Sequence, residues 1–195
     1  MRWMMKRIKL TGSSVALLLL LVVAGCAEPG VSHHDSLMDF GSIQTVAVLP
    51  FANLARDEAA AERVRDTFST MLLATESIYV LPAGEVARGI ARAGMADMSR
   101  PSTEDVKKFC GITKADAVIT GVVREYGEVR SGQTTANAIA MSLQMLDSQT
   151  GSVVWAADTA RGGITMTDRL FGGGGKPMDE VTRDAVNDLL DKLFE

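Results

Sequence analysis

The segment 139–155 constrains the fold more than any other part of this sequence. Apolar side chains alternate with small or polar ones over 139–145, the period-two pattern of a strand with one buried face. The segment 147–151 (DSQTG) has turn chemistry, because Asp can bond nearby backbone and Gly accepts positive φ. Val153 and Val154 then begin a returning strand, which predicts an antiparallel hairpin with Trp155 in the core.

Three earlier segments also predict strands. The first, 43–51, is nearly all apolar after Gln44, as expected for a strand covered on both faces. The second, 78–81, is short and stops at Pro82. The third, 115–126, is apolar first and polar at its far end, and it predicts the first strand of a three-stranded antiparallel meander.

Helical spacing of apolar residues predicts four helices, over 57–77, 85–93, 102–110 and 177–193. Ser102 or Thr103 can cap the third helix at its start. Gly94 and Gly111 are predicted to end the second and third helices, because glycine adopts the left-handed conformation without strain.

The element order is therefore β-α-β-α-α-β-β-β-α. It predicts a single α/β (α+β) domain over 43–195, with a mixed β-sheet and helices packed on it. Residues 26–42 are rich in Gly, Pro, Ser, His and Asp and show no periodicity, which predicts a flexible tether.

The first 25 residues have the features of a secretory signal peptide: a basic start, an apolar run over 15–23 and small residues before a cleavage site. The sequence Val23-Ala24-Gly25-Cys26 resembles the lipobox of bacterial lipoproteins. That resemblance implies recognition by the lipoprotein signal peptidase, cleavage before Cys26 and lipidation (palmitate) of Cys26. A plain signal peptide with an incidental cysteine is the alternative.

Charge and cysteine content narrow the class of protein further. Four of the 20 basic residues and none of the 24 acidic ones precede Cys26, so the mature chain has 16 basic and 24 acidic residues, a net charge of −8. This balance argues against nucleic-acid binding and against electrostatic docking on anionic lipid. With Cys26 lipidated, Cys110 has no partner, and we expect it in the core.

Four segments together are similar to one family: VAVLPF (46–51), KADAVITGVVREYG (114–127), AMSLQMLDSQTGSVVW (140–155) and the last helix. They resemble the periplasmic domain of CsgG-like lipoproteins and LpoB-like activators, which share a TolB N-terminal-like fold. The resemblance implies a lipid-anchored domain that faces the periplasm and works through protein partners. Ala27, where an inner-membrane lipoprotein would have Asp, implies delivery to the outer membrane.

In the curli exporter of this family, long hairpins form a transmembrane barrel. They would arise here from the connections 127–135 and 162–176, which have only 9 and 15 residues. A barrel hairpin needs two strands of about 9–11 residues each. We therefore expect no transmembrane barrel from this chain.

The residues that could support catalysis or ligand binding are sparse. Both histidines, His33 and His34, lie in the predicted tether, so no catalytic base accompanies Cys110 or any serine. The stretch 171–177 (FGGGGKP) lacks the first glycine and the Ser/Thr of a phosphate-binding loop. We expect no enzyme activity, no metal, no nucleotide and no cofactor beyond the lipid.

Two sets of residues are candidates for partner binding. Arg124, Tyr126 and Arg130 lie at the polar end of the third predicted strand and in its loop. Met166, Leu170 and Phe171 are apolar residues within a glycine-rich segment.

Three functions stay open. The first is an outer-membrane lipoprotein that assembles or regulates an envelope complex, in export, surface assembly or peptidoglycan synthesis. The second is a structural homo-oligomeric ring. The third is a small-ligand binding module with 162–176 as a lid.

Overall fold

The computed structural model describes residues 31–131, 134–164 and 175–195. These residues form one mixed α/β domain. Its strands are β1 (Ser32–His34), β2 (Thr45–Val48), β3 (Ala52–Asn53), β4 (Tyr79–Val80), β5 (Ala117–Ser131), β6 (Thr134–Asp147) and β7 (Val153–Gly162). Its helices are α1 (Ala60–Ala74), α2 (Ala83–Ala93), α3 (Thr103–Thr113) and α4 (Met178–Phe194).

The strands form one open mixed sheet in the order β1-β7-β6-β5-β2-β4, with β3 beside β5 further along. β2 is parallel to β4 and β5, and β3 is parallel to β5. β5, β6 and β7 pair antiparallel in chain order. The predicted fold class and the three-stranded meander are confirmed.

Helices cover the sheet on both faces. α1 and α4 pack on one face with Ile119, Met141 and Trp155, while α2 and α3 pack on the other with Val118 and Leu146. Successive residues of β5 therefore enter different core layers. This explains why the first half of β5 is almost continuously apolar.

The aspartates of the two family-like segments 114–127 and 140–155 hold backbone in place. Asp116 accepts hydrogen bonds from the backbone N–H of Gln44 and Thr45, at 3.0 and 2.9 Å. It thereby fixes the start of β2 beside β5. Asp147, which is buried, accepts from the N–H of Gln149 and Thr150 and so shapes the β6–β7 turn. Both side chains have structural roles.

Gly121 permits a close approach between β5 and β6. A Cβ atom at this position would lie 2.2 Å from Cδ2 of Leu143 and 2.7 Å from the carbonyl oxygen of Ser142. One of these neighbours is backbone within the sheet, so the clash could not be relieved by a side-chain rotation.

The two predictions for core residues are confirmed. Trp155 and Cys110 are both buried. The indole N–H of Trp155 donates to the carbonyl oxygen of Lys192, 3.0 Å away. Lys192 Nζ in turn donates to the carbonyl oxygen of Asp158 and to Oδ2 of Asp188, both at 2.8 Å. This network joins α4 to β7.

The structure differs from the sequence prediction at the N-terminal end. Part of the predicted tether is ordered, because Ser32–His34 forms β1 on the outer edge of β7 and Phe40–Ser42 forms a 3-10 turn. An isolated three-residue strand of Ser and His has no pattern by which the sequence could reveal it.

Two other boundaries also differ. β5 and β6 extend into the connection predicted at 127–135, so they form one long hairpin. Gly94 ends α2 with a φ of 69°, as predicted, but α3 continues through Gly111 to Thr113. Lys114 takes the left-handed position after α3, with a φ of 63°.

We predict that Gly121→Ala lowers the free energy of unfolding by about 1–3 kcal/mol, because the new methyl group overpacks the β5–β6 contact. Urea denaturation followed by circular dichroism measures this change. Gly111→Ala is the matched control. Its Cβ would meet nothing within 4 Å, and a helix gains up to about 1 kcal/mol from this replacement. Equal stability of the two variants would contradict the prediction.

Candidate protein-binding surface

The outer half of β5 has an edge that no described strand covers. β2 and β3 pair with β5 only as far as Val123, and the N–H of Leu54 adds one bond to the carbonyl oxygen of Val123. Beyond that point β5 pairs only with β6, up to Ser131. The backbone of 125–131 therefore presents a strand edge outside the main sheet.

A β-bulge at Arg124 marks where this edge begins. The β5–β6 register shifts between Val123 and Glu125, so the strand bends and its twist increases locally. Nη2 of Arg124 donates to Oγ of Ser142 on β6, at 2.9 Å. This bond holds the guanidinium group across the sheet surface.

A groove of about 450 Å³ runs beside this edge. One wall is β5 from Arg124 to Arg130, and the other is the segment 54–56 that follows β3. We call it the β5-edge groove. The side chain of Leu54 is 64% exposed on its rim, which is unusual for a large apolar residue.

Side-chain hydrogen bonds fix the second wall of the groove. Asn53 donates through Nδ2 to the carbonyl oxygens of Asp57 and Glu58, and its Oδ1 accepts from the N–H of Ala55. Asp57 bonds the N–H of Ala59 at 2.9 Å and pairs with Arg63. The segment 54–56 therefore has a fixed position relative to β5.

The groove brings together one of the two predicted partner-binding sets. Arg124, Tyr126 and Arg130 all line it. Tyr126 is also packed against the core layer of α1 and α4, so its ring is held in place. The sequence-predicted residues on β5 thus share one surface.

The second set, Met166, Leu170 and Phe171, lies outside the described residues, as do Cys26 and the lipobox residues Val23, Ala24 and Gly25. The ends of the segment that holds the second set are described. The N–H of Gly163 donates to the carbonyl oxygen of Asn137, and Nδ2 of Asn137 donates to the carbonyl oxygen of Lys176.

Asn137 on β6 therefore holds both ends of the segment 164–175. It is the register partner of Glu128 on β5, and Glu128 lines the groove. The described residues on either side of this segment, Gly163 and Lys176, therefore lie beside Asn137, whose register partner lines the groove.

Sequence reasoning missed Leu54 and Arg56, which line the groove with β5. They follow the predicted strand 43–51 in a stretch without periodicity. Their position depends on the parallel pairing of β3 with β5, whose register partners are 70 positions apart in the sequence. The only local signal was Leu54, an apolar residue just beyond a strand end.

A family model described as "Putative lipoprotein GNA1162-like" matches residues 40–191 of this chain. The chain belongs to this family. The prediction of a bacterial lipoprotein from the sequence is thereby confirmed at the level of family. No curated protein matches the chain.

Several solved structures of bacterial proteins have a similar fold. A PelC dodecamer from Paraburkholderia phytofirmans matches with a TM-score of 0.57 and 16% identity, over 84% of this chain and 97% of PelC. Lipoprotein GNA1162 from Neisseria meningitidis matches with a TM-score of 0.56 and 17% identity, over 77% and 98%.

The LpoB C-terminal domain from Salmonella enterica is similar at a TM-score of 0.49 and 14% identity, over 65% of this chain and 86% of that domain. At these identities the likeness of the solved structures concerns the fold alone.

Metal-ligand clusters and membrane-spanning helices are absent from the described part of the GNA1162-like domain. No group of three or more His, Cys, Asp or Glu side chains there could hold a metal ion. In the same residues no helix has the length and apolar character needed to cross a membrane. His33 and His34 lie in β1, at one end of the strand order, whereas Cys110 lies in α3.

Burial raises the pKa of the Cys110 thiol to about 12, and the nearby charges of Asp147 and Asp116 add to the shift. The reactive form of cysteine is the thiolate. At neutral pH Cys110 is therefore protonated, shielded and chemically inert.

We predict that a Cys26→Ser variant of the chain does not react with a thiol reagent at pH 8 while it is folded. Reaction should appear only when denaturant unfolds the domain, because unfolding removes the burial that raises the pKa. The rate of absorbance change with an aromatic disulfide reagent measures this. Adding a surface cysteine by Lys107→Cys provides the positive control. Fast reaction of the folded Cys26→Ser variant that lacks this added cysteine would contradict the prediction.

Proposed function

We propose that this protein is an outer-membrane lipoprotein, anchored by lipid on Cys26. Its domain faces the periplasm and acts as a protein-binding module that assembles or regulates a cell-envelope complex. The complex would serve export, surface assembly or peptidoglycan synthesis. The module is not an enzyme and uses no cofactor beyond its covalent lipid.

The observation that carries this proposal is the β5-edge groove. A strand edge without a neighbour can pair with an extended segment of another protein, which adds a strand to the sheet. Backbone bonds then supply affinity, and side chains along the groove supply specificity. Tyr126 and the arginines Arg56, Arg124 and Arg130 are of the residue types enriched where interfaces gain most binding energy.

The charges around the groove indicate the kind of segment it would bind. Three arginines and two glutamates, Glu125 and Glu128, line it, whereas the mature chain as a whole is acidic. A net positive groove on an acidic domain favours a partner segment with acidic side chains.

The inert state of Cys110 and the position of both histidines in β1 support the non-enzymatic part of the proposal. A nucleophile needs an adjacent base or a lowered pKa. Cys110 has the opposite shift, and both histidines lie in a different element, β1.

A second candidate is homo-oligomerisation through the same groove. One of the structural neighbours is a PelC dodecamer. If the present chain also forms rings, a segment of one copy would occupy the groove of the next.

The anchor is tested with Cys26→Ser expressed in a Gram-negative host. We expect the parent protein to incorporate radiolabelled palmitate and to fractionate with the outer membrane. Cys26→Ser should lose the label and should no longer fractionate with the outer membrane. Palmitate labelling that persists in Cys26→Ser would refute lipidation at this residue.

Protein binding is tested with a photo-crosslinking amino acid at Leu54 or Glu128, on the two walls of the groove. We expect discrete crosslinked products in intact cells, because the bound segment lies between these walls. The same amino acid at Lys107, an exposed residue of α3, is the control.

The mass of the crosslinked product separates the candidates. A product of two or more copies of the chain supports the oligomer, and a product with a different protein supports the envelope module. If the control position Lys107 crosslinks as strongly as Leu54 and Glu128, or if neither groove position crosslinks, the result would contradict a binding role for the groove.

A further inference from the structure

β1 attaches the N-terminal segment of the domain to the edge of the sheet. Ser32, His33 and His34 pair with Ala157, Ala156 and Trp155 of β7. The ladder continues at both ends of β1. The N–H of Asp158 donates to the carbonyl oxygen of Val31 at 3.1 Å, and the N–H of Asp35 donates to the carbonyl oxygen of Val154 at 2.8 Å.

Aromatic contact adds to this attachment. The ring of His34 lies edge-on to Phe40, with 5.6 Å between the ring centroids. Phe40 is itself packed against the core layer of α1 and α4. β1 is therefore part of the domain and not of the tether.

This attachment shortens the tether. Only four residues lie between Cys26 and Val31, and the five residue-to-residue steps can span at most about 17 Å in any conformation. A tether free up to Ser42 could have reached about 55 Å. If Cys26 is lipid-anchored, the start of β1 cannot lie far from the bilayer surface.

The same edge of the sheet carries exposed apolar side chains at both ends of β1. Val31 and Leu37 are the most exposed large hydrophobic side chains among the described residues, at 75% and 94%. Val153, at the start of β7, and Phe194, which lines a cavity with Asp35 and Met38, are also exposed. Exposed apolar side chains along one edge can contribute to a contact surface.

We propose that this edge rests on the phospholipid surface in which the Cys26 lipid is embedded. We call it the β1 edge and define it by Val31, Leu37 and Val153. The inference rests on the proposed lipid anchor. The short tether brings the edge to the membrane, and its apolar side chains enter the headgroup region.

This orientation keeps the β5-edge groove accessible. β1 and β5 are separated by β7 and β6, so three strand spacings, about 14 Å, lie between them. The groove is then held off the bilayer. Because the mature chain has a net charge of −8, electrostatic attraction to anionic lipid does not contribute, and the contact should be insensitive to salt.

The test uses the full lipidated protein in phosphatidylcholine vesicles that contain a headgroup spin-labelled lipid. A fluorophore is attached at a single new cysteine, by Ser32→Cys, Ser36→Cys or Glu128→Cys. All three sites are exposed, and buried Cys110 does not take up the label. We expect strong quenching at both 32 and 36, unchanged by high salt, and little at 128.

A second variant tests the role of the strand. His33→Pro lacks the N–H of a residue in the middle of β1 and should release the strand from β7, which lengthens the tether. We expect quenching at 36 to be largely lost, while the protein still floats with the vesicles. His33→Ala keeps the N–H and should behave like the parent.

The outcomes separate the inference from the function on which it depends. Failure of the parent to float with vesicles would refute the anchor itself. Flotation with quenching only at 32 would mean that the domain hangs from its tether, and similar quenching at all three sites would mean that it has no fixed orientation. Quenching only at 32 and similar quenching at all three sites would each overturn the docking of the β1 edge. Unchanged quenching at 36 in His33→Pro would overturn it as well.

Discussion

Pairing on both sides of β5 is the constraint on which the rest of the domain depends. β5 accepts β2 and β3 in parallel on one side and β6 antiparallel on the other. Helices cover both faces of its first half, so that half must be apolar, and Gly121 must lack a side chain for β6 to approach. After the bulge at Arg124 the same strand leaves the core and becomes the wall of the β5-edge groove. One strand thus determines the core and supplies the candidate binding surface.

Sequence patterns could predict those parts of the fold that local chemistry determines. The alternation over 139–145, the Asp147 turn and the burial of Trp155 all follow from residues close in sequence. β1 could not be predicted, since a short polar strand forms only because β7 offers an edge to it. The second wall of the groove was missed for the same kind of reason, because it depends on a distant strand pairing. The end of α3 was misplaced because Gly111 remains helical and Lys114 takes the left-handed position.

The candidate site could also be predicted from the sequence only in part. Arg124, Tyr126 and Arg130 were accessible to sequence reasoning as a polar strand end with Tyr and Arg. Their association with Leu54 and Arg56 was not, because it requires β3 to lie beside β5. The aspartates of the family-like segments illustrate a related limit. A motif can distinguish a family and still consist of residues, such as Asp116 and Asp147, that only organise backbone.

The position of α4 has a consequence for the order in which the domain can fold. α4 comprises the last helical residues of the chain, Met178–Phe194, and its buried side chains complete the core layer over Met141, Met145 and Trp155. Until α4 arrives, the part of that face over β6 and β7 stays uncovered, and a domain of this kind folds as a unit. If the chain is exported N-terminus first, as the proposed function requires, it would remain incompletely folded until α4 had been delivered. Such a delay would suit export in an unfolded state.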